Sequence, residues 1–207
     1  MDLFTEKQIE ILHVAEKLFA QKGFDGTSIR EISKNLGINI AMVSYYFGSK
    51  EKLLENLIIY RTADLKNSLA DIASQGLTPI QKIELFVQLY IERISKNRDF
   101  HQILLFEVSS KKRALDFETF NQIKKTNFES LEKIIKEGQR SKVFKTEVNM
   151  NLIIPTILGT YFYFQMNKSF YQDTIELKTD EKFDIYIQTD LTNHIQQTIK
   201  SLLLYDN

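Results

Sequence analysis

The chain has 207 residues, 43% of them hydrophobic, enough to bury a substantial core in one domain or in a small domain joined to a larger one. It carries no cysteine, which excludes disulfides, thiolate nucleophiles and zinc–thiolate sites. Lysine plus arginine and aspartate plus glutamate balance at 27 each, so any affinity for nucleic acid rests on local charge, not on the net field.

Two prolines and seven glycines leave few obligatory turns, and a helical period runs from end to end. Ile11, Ala15, Leu18 and Phe19 form the apolar stripe of a first helix that Gly23 stops. Thr27 or Ser28 can cap a short second helix bearing Ile29, Ile32 and Leu36. After Gly37, Asn39 starts a third helix with Val43 and Phe47 on one face. Gly48 ends it, and Ser49 caps a longer helix with Leu53, Leu54, Leu57 and Ile58 inward.

The remainder predicts a helical bundle. Thr78 and Pro79 open a helix with Ile83, Phe86, Val87, Tyr90, Ile91 and Ile94 on one stripe. A shorter helix is expected over residues 100–108, and a long one over 115–140 with Phe120, Ile123, Leu131, Ile134 and Ile135 inside. Residues 152–166 are apolar all round, which predicts a helix buried on most sides with Pro155 in its first turn or at a kink. The run is too interrupted and short for a membrane span. Tyr161 to Phe164 also have strand propensity. A final helix carries Phe183, Ile187, Leu191, Ile195, Ile199 and Leu202, and the polar stretch QDTIELKTDEK before it reads as a surface loop. The start of the chain is acidic and amphipathic, without a basic-then-apolar signal segment, and a soluble, cytoplasmic protein is expected.

The short helix, glycine turn and short helix between Ser28 and Phe47 have the dimensions of a helix-turn-helix, in which the second helix enters the major groove of DNA. With Val43 and Phe47 in the core, Ala41, Ser44 and Tyr45 project the other way, flanked by Met42 and Tyr46. Small and hydroxyl-bearing side chains suit close approach to bases and phosphates, and Arg30 and Lys50 suit phosphate neutralisation. Residues 27–52 hold four cations, Arg30, Lys34, Lys50 and Lys52, against two acids. A second basic run, from Lys111, Lys112 and Arg113 to Lys145, is read as a solvated helix face.

The stretch TSIREISKNLGINIAMVSYYFGSKEKLL, residues 27–54, preceded by AEKLFAQKGFDG, resembles the DNA-binding signature of the tetracycline-repressor (TetR) family. The resemblance implies an all-α protein: a three-helix helix-turn-helix domain over residues 1–50 and a larger helical effector-binding and dimerisation domain over 51–207. By position it implies that Thr27 and Ser28 cap the bracing helix near phosphate and that Arg30 meets backbone or a base edge. Asn39, Ile40 and Ala41 would open the reading helix, and Tyr45, Tyr46 and Lys50 would pin it. Where the family most often has a Leu-Tyr pair, this chain has Val43 and Ser44. Ile40 and Ala41 are apolar for the tip of a reading helix and suit thymine methyl groups.

The resemblance further implies a homodimer through the last two helices, on a palindromic operator in double-stranded DNA. His194 and Thr198, read within the last apolar stripe, suit either a hydrogen bond across the two-fold axis or a partly exposed edge of the interface. It also implies a repressor released by a small apolar or aromatic effector. Phe86, Tyr90, Phe100, His101, Phe120, Asn127, Tyr161 and Gln165 are the candidate lining, few polar groups among many apolar walls. A regulator of the same fold that is constitutive, or controlled by a protein partner, is the alternative. For an enzyme the raw material is thin: three histidines on separate helices, Glu10 and His13 as at most half a metal site, and no phosphate-binding glycine motif. No catalytic residue, metal or cofactor is expected.

Overall fold

The computed structural model describes residues 3–110 and 115–205, the side chains of residues 64–67 excepted, and every regular element among them is helical. In chain order these are α1 (Glu6–Lys22), α2 (Ile29–Leu36), α3 (Ile40–Phe47), α4 (Lys50–Ser74), α5 (Pro79–Lys96), α6 (Arg98–Ser110) and α7 (Glu118–Arg140). A 3₁₀ turn (Met150–Leu152) leads into α8 (Ile153–Met166), followed by α9 (Lys168–Thr174), α10 (Asp180–Tyr186), a π turn (Ile187–Leu191) and α11 (Thr192–Leu203). None of the described helices is long and apolar enough to cross a membrane. The basic residues Lys111, Lys112 and Arg113 lie outside the described residues.

Two compact units divide the chain: Met1–Lys66 with Asn97–Lys125, and Asn67–Lys96 with Thr126–Asn207. The unit holding the helix-turn-helix therefore runs past residue 50 and takes in α6 and the first turns of α7.

In the first unit, local signals set the helix ends. Thr5 and Gln8 form a reciprocal capping box at α1. Ser28 accepts the Glu31 N–H at the start of α2, and Asn39 accepts that of Ala41 at α3. Gly37 ends α2 in the left-handed region, φ 65° and ψ 28°, which a side chain would disfavour. Helix α1 packs against α2 and α6, and α2 against α3. Ile11, Leu12, Ala15, Phe19, Phe24, Ile32, Val43, Phe47, Leu53, Leu57, Phe100 and Ile103 share one core.

In the second unit, α5 packs against α8 and α11. Lys82 is buried, and its ammonium donates to Glu137 Oε2 at 2.8 Å and to the Ala73 carbonyl at 3.1 Å, so this buried charge is paired. Glu84 of α5 accepts from Lys200 of α11 at 2.6 Å. Phe164 stacks with Tyr171 at 4.2 Å and lies 5.2 Å from Phe183 and 5.5 Å from Tyr186, which docks α9 and α10 onto α8.

The structure departs from five expectations. Helix α7 begins at Glu118, not at residue 115. Helix α8 buries one face only, through Ile153, Ile157, Tyr161 and Phe164, while Tyr163 and Met166 face solvent at 66% and 81% exposure. A stretch apolar all round gives no signal of which side the chain itself covers. The stretch read as a loop is partly helical, since α9 includes Gln172, Asp173 and Thr174. In the last helical segment Leu203, not Leu202, completes the buried stripe, and His194 lies off it, exposed. Apolar residues spaced strictly by four drift about 40° per step around a 3.6-residue helix. The wider π turn takes that drift back, and Thr192 Oγ1 donates to the Ile187 carbonyl five residues earlier at 2.7 Å.

Candidate nucleic-acid interface and effector site

Helix α3 sits on the core through Val43 and Phe47 and turns Ile40, Ala41, Ser44 and Tyr45 to solvent. Tyr45 is 84% exposed and lies edge-on to Tyr46, 5.3 Å away. The face carries no charged residue. Cations come from the neighbouring helix: Arg30 and Lys34 of α2 are exposed, and Arg30 makes no hydrogen bond or ion pair through its side chain among the described residues. Ser28 is exposed beside Arg30, at the positive end of the α2 dipole.

Three of the sequence-predicted contact residues are turned inward. Thr27 is 1% exposed; its hydroxyl donates to the carbonyls of Gly23 at 2.9 Å and Leu18 at 3.1 Å. Lys50 donates from Nζ to the carbonyls of Thr27 at 2.8 Å and Phe24 at 2.9 Å and lies over the Phe24 ring. Tyr46 is half-buried against the core. Thr27 and Lys50 hold the α1–α2 turn with their polar atoms committed within the chain, and Tyr46 packs at the base of α3.

Two further devices brace the same unit, and sequence reading missed both. Glu16 is buried in α1 and forms a fork with Arg61 of α4, with Arg61 Nε 2.9 Å from Oε2. Its signal was there: Glu16 stands in register with Leu12 and Phe19 on the apolar stripe. Glu55 of α4 accepts the Asp116 backbone N–H at 2.8 Å, so its carboxylate holds the segment before α7 against α4. No local pattern pairs those positions. Burial, reinforced by the Arg61 charge, lowers the pKa of His13, which hydrogen-bonds the Tyr60 hydroxyl at 3.2 Å.

The predicted effector residues fall into both units. Phe100, His101 and Phe120 belong to the first, where Phe100 is a core residue and burial pushes the His101 pKa down to about 4. Phe86, Tyr90, Asn127, Tyr161 and Gln165 belong to the second. Phe86 and Tyr90 lie 4.9 Å apart, the Asn127 side chain hydrogen-bonds the Tyr90 hydroxyl, and Tyr161 shares a hydrogen bond with Ser95 at 3.4 Å. Burial raises the Tyr90 pKa well above its ordinary value, opposed by the Asn127 contact, so the hydroxyl stays protonated. Asn127 Oδ1 and Gln165 Oε1 are buried with no hydrogen-bond partner among the described residues.

An all-helical chain with a short capped reading helix held by two core aromatic and aliphatic anchors has the fold of a helix-turn-helix regulator. Residues 11–57 match the family model of bacterial regulatory proteins of the tetR family, and residues 79–184 match the tetracyclin repressor-like C-terminal domain. The chain belongs to the tetracycline-repressor family, a family of transcription regulators. Among curated relatives, the "Probable HTH-type transcriptional regulator YttP" of Bacillus subtilis is 36% identical over 97 residues, covering 47% of this chain and 46% of the relative. The chain thus spans under half the length of that relative. The HTH-type transcriptional repressor NicS of Pseudomonas putida is 26% identical over 167 residues, covering 76% of this chain and 75% of NicS. The crystal structure of FadR from Bacillus subtilis, in complex with stearoyl-CoA, has the same fold, with TM-score 0.69, 20% identity and coverage of 93% and 97% of the two chains.

Proposed function

We propose that the chain is a homodimeric transcription repressor, acting in the cytoplasm, that grips a palindromic operator with α3 and releases it when a small apolar effector binds. The observation that carries this reading is the outward face of α3, where Ile40, Ala41, Ser44 and Tyr45 are exposed on a helix anchored by Val43 and Phe47. Ser28, Arg30 and Asn39 flank it as positioning contacts to phosphate, and Thr27, Tyr46 and Lys50 set the angle at which it is presented.

Dimerisation is supported by the apolar side chains that α8 to α11 leave in solvent, among them Tyr163, Met166, Phe170, Ile185 and Leu202. Thr198, half-buried, donates to the His194 carbonyl at 2.9 Å and sits with His194 on that segment. A two-fold pair would hold the reading helices about 34–36 Å apart, one turn of DNA.

Effector binding is supported by two buried, unpartnered acceptors in the second unit, Asn127 Oδ1, whose side chain meets Tyr90 next to Phe86, and Gln165 Oε1 on α8. An apolar ligand with one hydrogen-bond donor would satisfy such an acceptor and gain from the aromatic wall. That FadR binds stearoyl-CoA on the same fold is consistent with a ligand of that character. Preference of the ligand for a wider helix spacing would lower operator affinity, with α4 as the lever. None of the residues given a role here is asked to perform catalysis.

The test is selection from a random duplex library with the purified dimer. An inverted repeat with half-sites about one helical turn apart supports the reading, and enrichment of no motif opposes it.

A further inference from the structure

We infer that each operator half-site presents thymine C5-methyl groups to Ile40 and Ala41, and that α3 reads sequence by apolar contact in place of bidentate hydrogen bonds. This rests on the DNA-binding reading above. The residues at the N-terminal end of a reading helix are those that meet base edges. In this chain that end is Ile40, 45% exposed, followed by Ala41.

The chemistry for other readouts is missing from the same face. Bidentate recognition of guanine in the major groove takes arginine or lysine, and that of adenine takes asparagine or glutamine. Helix α3, IAMVSYYF, has none of these. Asn39 stands just before it, but its Oδ1 accepts the Ala41 N–H at 2.9 Å. Engaging adenine through that oxygen would uncap the helix. Lys50, the nearest ammonium after α3, is spent on the carbonyls of Phe24 and Thr27, and the Thr27 hydroxyl points into the core. Ser44 and Tyr45 offer single hydroxyls, which donate or accept at any base or phosphate. Arg30, on α2, is the only guanidinium on either helix.

Ile40 is a large aliphatic side chain left in water at the tip of a helix whose other large aliphatic residue, Val43, is buried. Its exposure is offset when an apolar group covers it. Thymine alone among the four bases carries a methyl group in the major groove, so this contact separates T·A from every other pair at that position.

The test replaces each thymine of the selected half-site in turn by deoxyuridine, which keeps the pairing and every hydrogen-bonding group and removes only the methyl. Affinity is followed by anisotropy for the wild type, Ile40→Ala and Ala41→Gly, each checked for an unchanged melting temperature. The expected result is one or two positions per half-site at which the substitution weakens binding by about fourfold, the value of one buried methyl. Ile40→Ala abolishes the sensitivity at one of them and leaves the slope of affinity against salt unaltered, since no phosphate contact is lost. Tight, salt-dependent binding that is indifferent to deoxyuridine everywhere, or a sensitivity that survives both variants, overturns the inference and leaves the regulator reading intact. Failure to bind any selected duplex overturns both.

Discussion

Lys50 reaches back from the start of α4 to Thr27 at the entry of α2, its Nζ donating to the Thr27 carbonyl at 2.8 Å. The same ammonium donates to the Phe24 carbonyl at 2.9 Å and lies 4.2 Å from the centre of the Phe24 ring. The turn that sets α2 against α1 is thus tied from three sides, by Lys50, by the Thr27 hydroxyl and by the packing of Phe24 on Phe19. The reading helix is presented by a frame in which the Lys50 ammonium and the Thr27 hydroxyl are bonded internally.

Lys50→Met is expected to lower stability by about 1.5 kcal/mol, the scale of hydrogen bonds from a charged donor. Urea denaturation measures it. DNA affinity should fall as well, but the slope of affinity against salt should stay near the wild-type value, because a positioning residue releases no counterions. A slope reduced by about one ion would place Lys50 on a phosphate instead.

Gly138→Ala is expected to destabilise the second unit. A Cβ built at Gly138 would lie 2.1 Å from Cδ2 of Phe144, which fills that space. Overpacking costs about 1–3 kcal/mol, against a gain of roughly 1 kcal/mol in helix propensity. Combining it with Phe144→Leu should recover part of the loss, and a double-mutant cycle by thermal melting reads the coupling.

The pair Tyr90 and Asn127 should behave asymmetrically. Asn127→Leu alone leaves the buried Tyr90 hydroxyl without the partner it has now, at about 1–3 kcal/mol. The double variant Tyr90→Phe/Asn127→Leu removes the buried polar atoms together and is expected to melt no lower than Asn127→Leu, and close to the wild type. A double variant less stable than the single one would show that the Tyr90 hydroxyl has a second partner that replaces Asn127.

Stability should fall with acid through His101. Its folded pKa of about 4 lies below the ordinary value of 6.5, so between these the unfolded chain binds the extra proton. Unfolding is therefore favoured progressively as pH drops from 6.5 towards 4, and the contribution is fully present only above that window. The wild type should lose more melting temperature than His101→Gln between pH 7 and 4.5. Equal losses would remove His101 from the account.

The helix-turn-helix was legible because its signals are local. Ser28, Gly37, Asn39 and Gly48 each act within a few residues, and Val43 and Phe47 repeat at helical spacing. What the period could not supply was the destination of long polar side chains. Lys50 looks like a phosphate contact by position and is held by carbonyls 23 and 26 residues back in the chain. Glu55 meets Asp116 across 61 residues. The last helical segment shows the limit of counting in threes and fours: its strict four-residue stripe is followed faithfully only because a π turn interrupts the α-helix at Ile187. The uniformly apolar stretch of α8 marked a helix without marking which face the chain would leave open.

The most direct measurement of the central claim is fluorescence anisotropy of the purified protein on duplex DNA from upstream of its own coding region, with a scrambled duplex as competitor. Salt is varied, and Arg30→Ala and Tyr45→Ala are run beside the wild type, since both side chains are exposed and neither supports the core. The expected result is tight, salt-sensitive binding that survives the competitor and weakens at least tenfold in each variant, with melting temperatures unchanged. Equal, weak binding to both duplexes, unaffected by either substitution, would contradict the assignment of this face to sequence-specific DNA recognition.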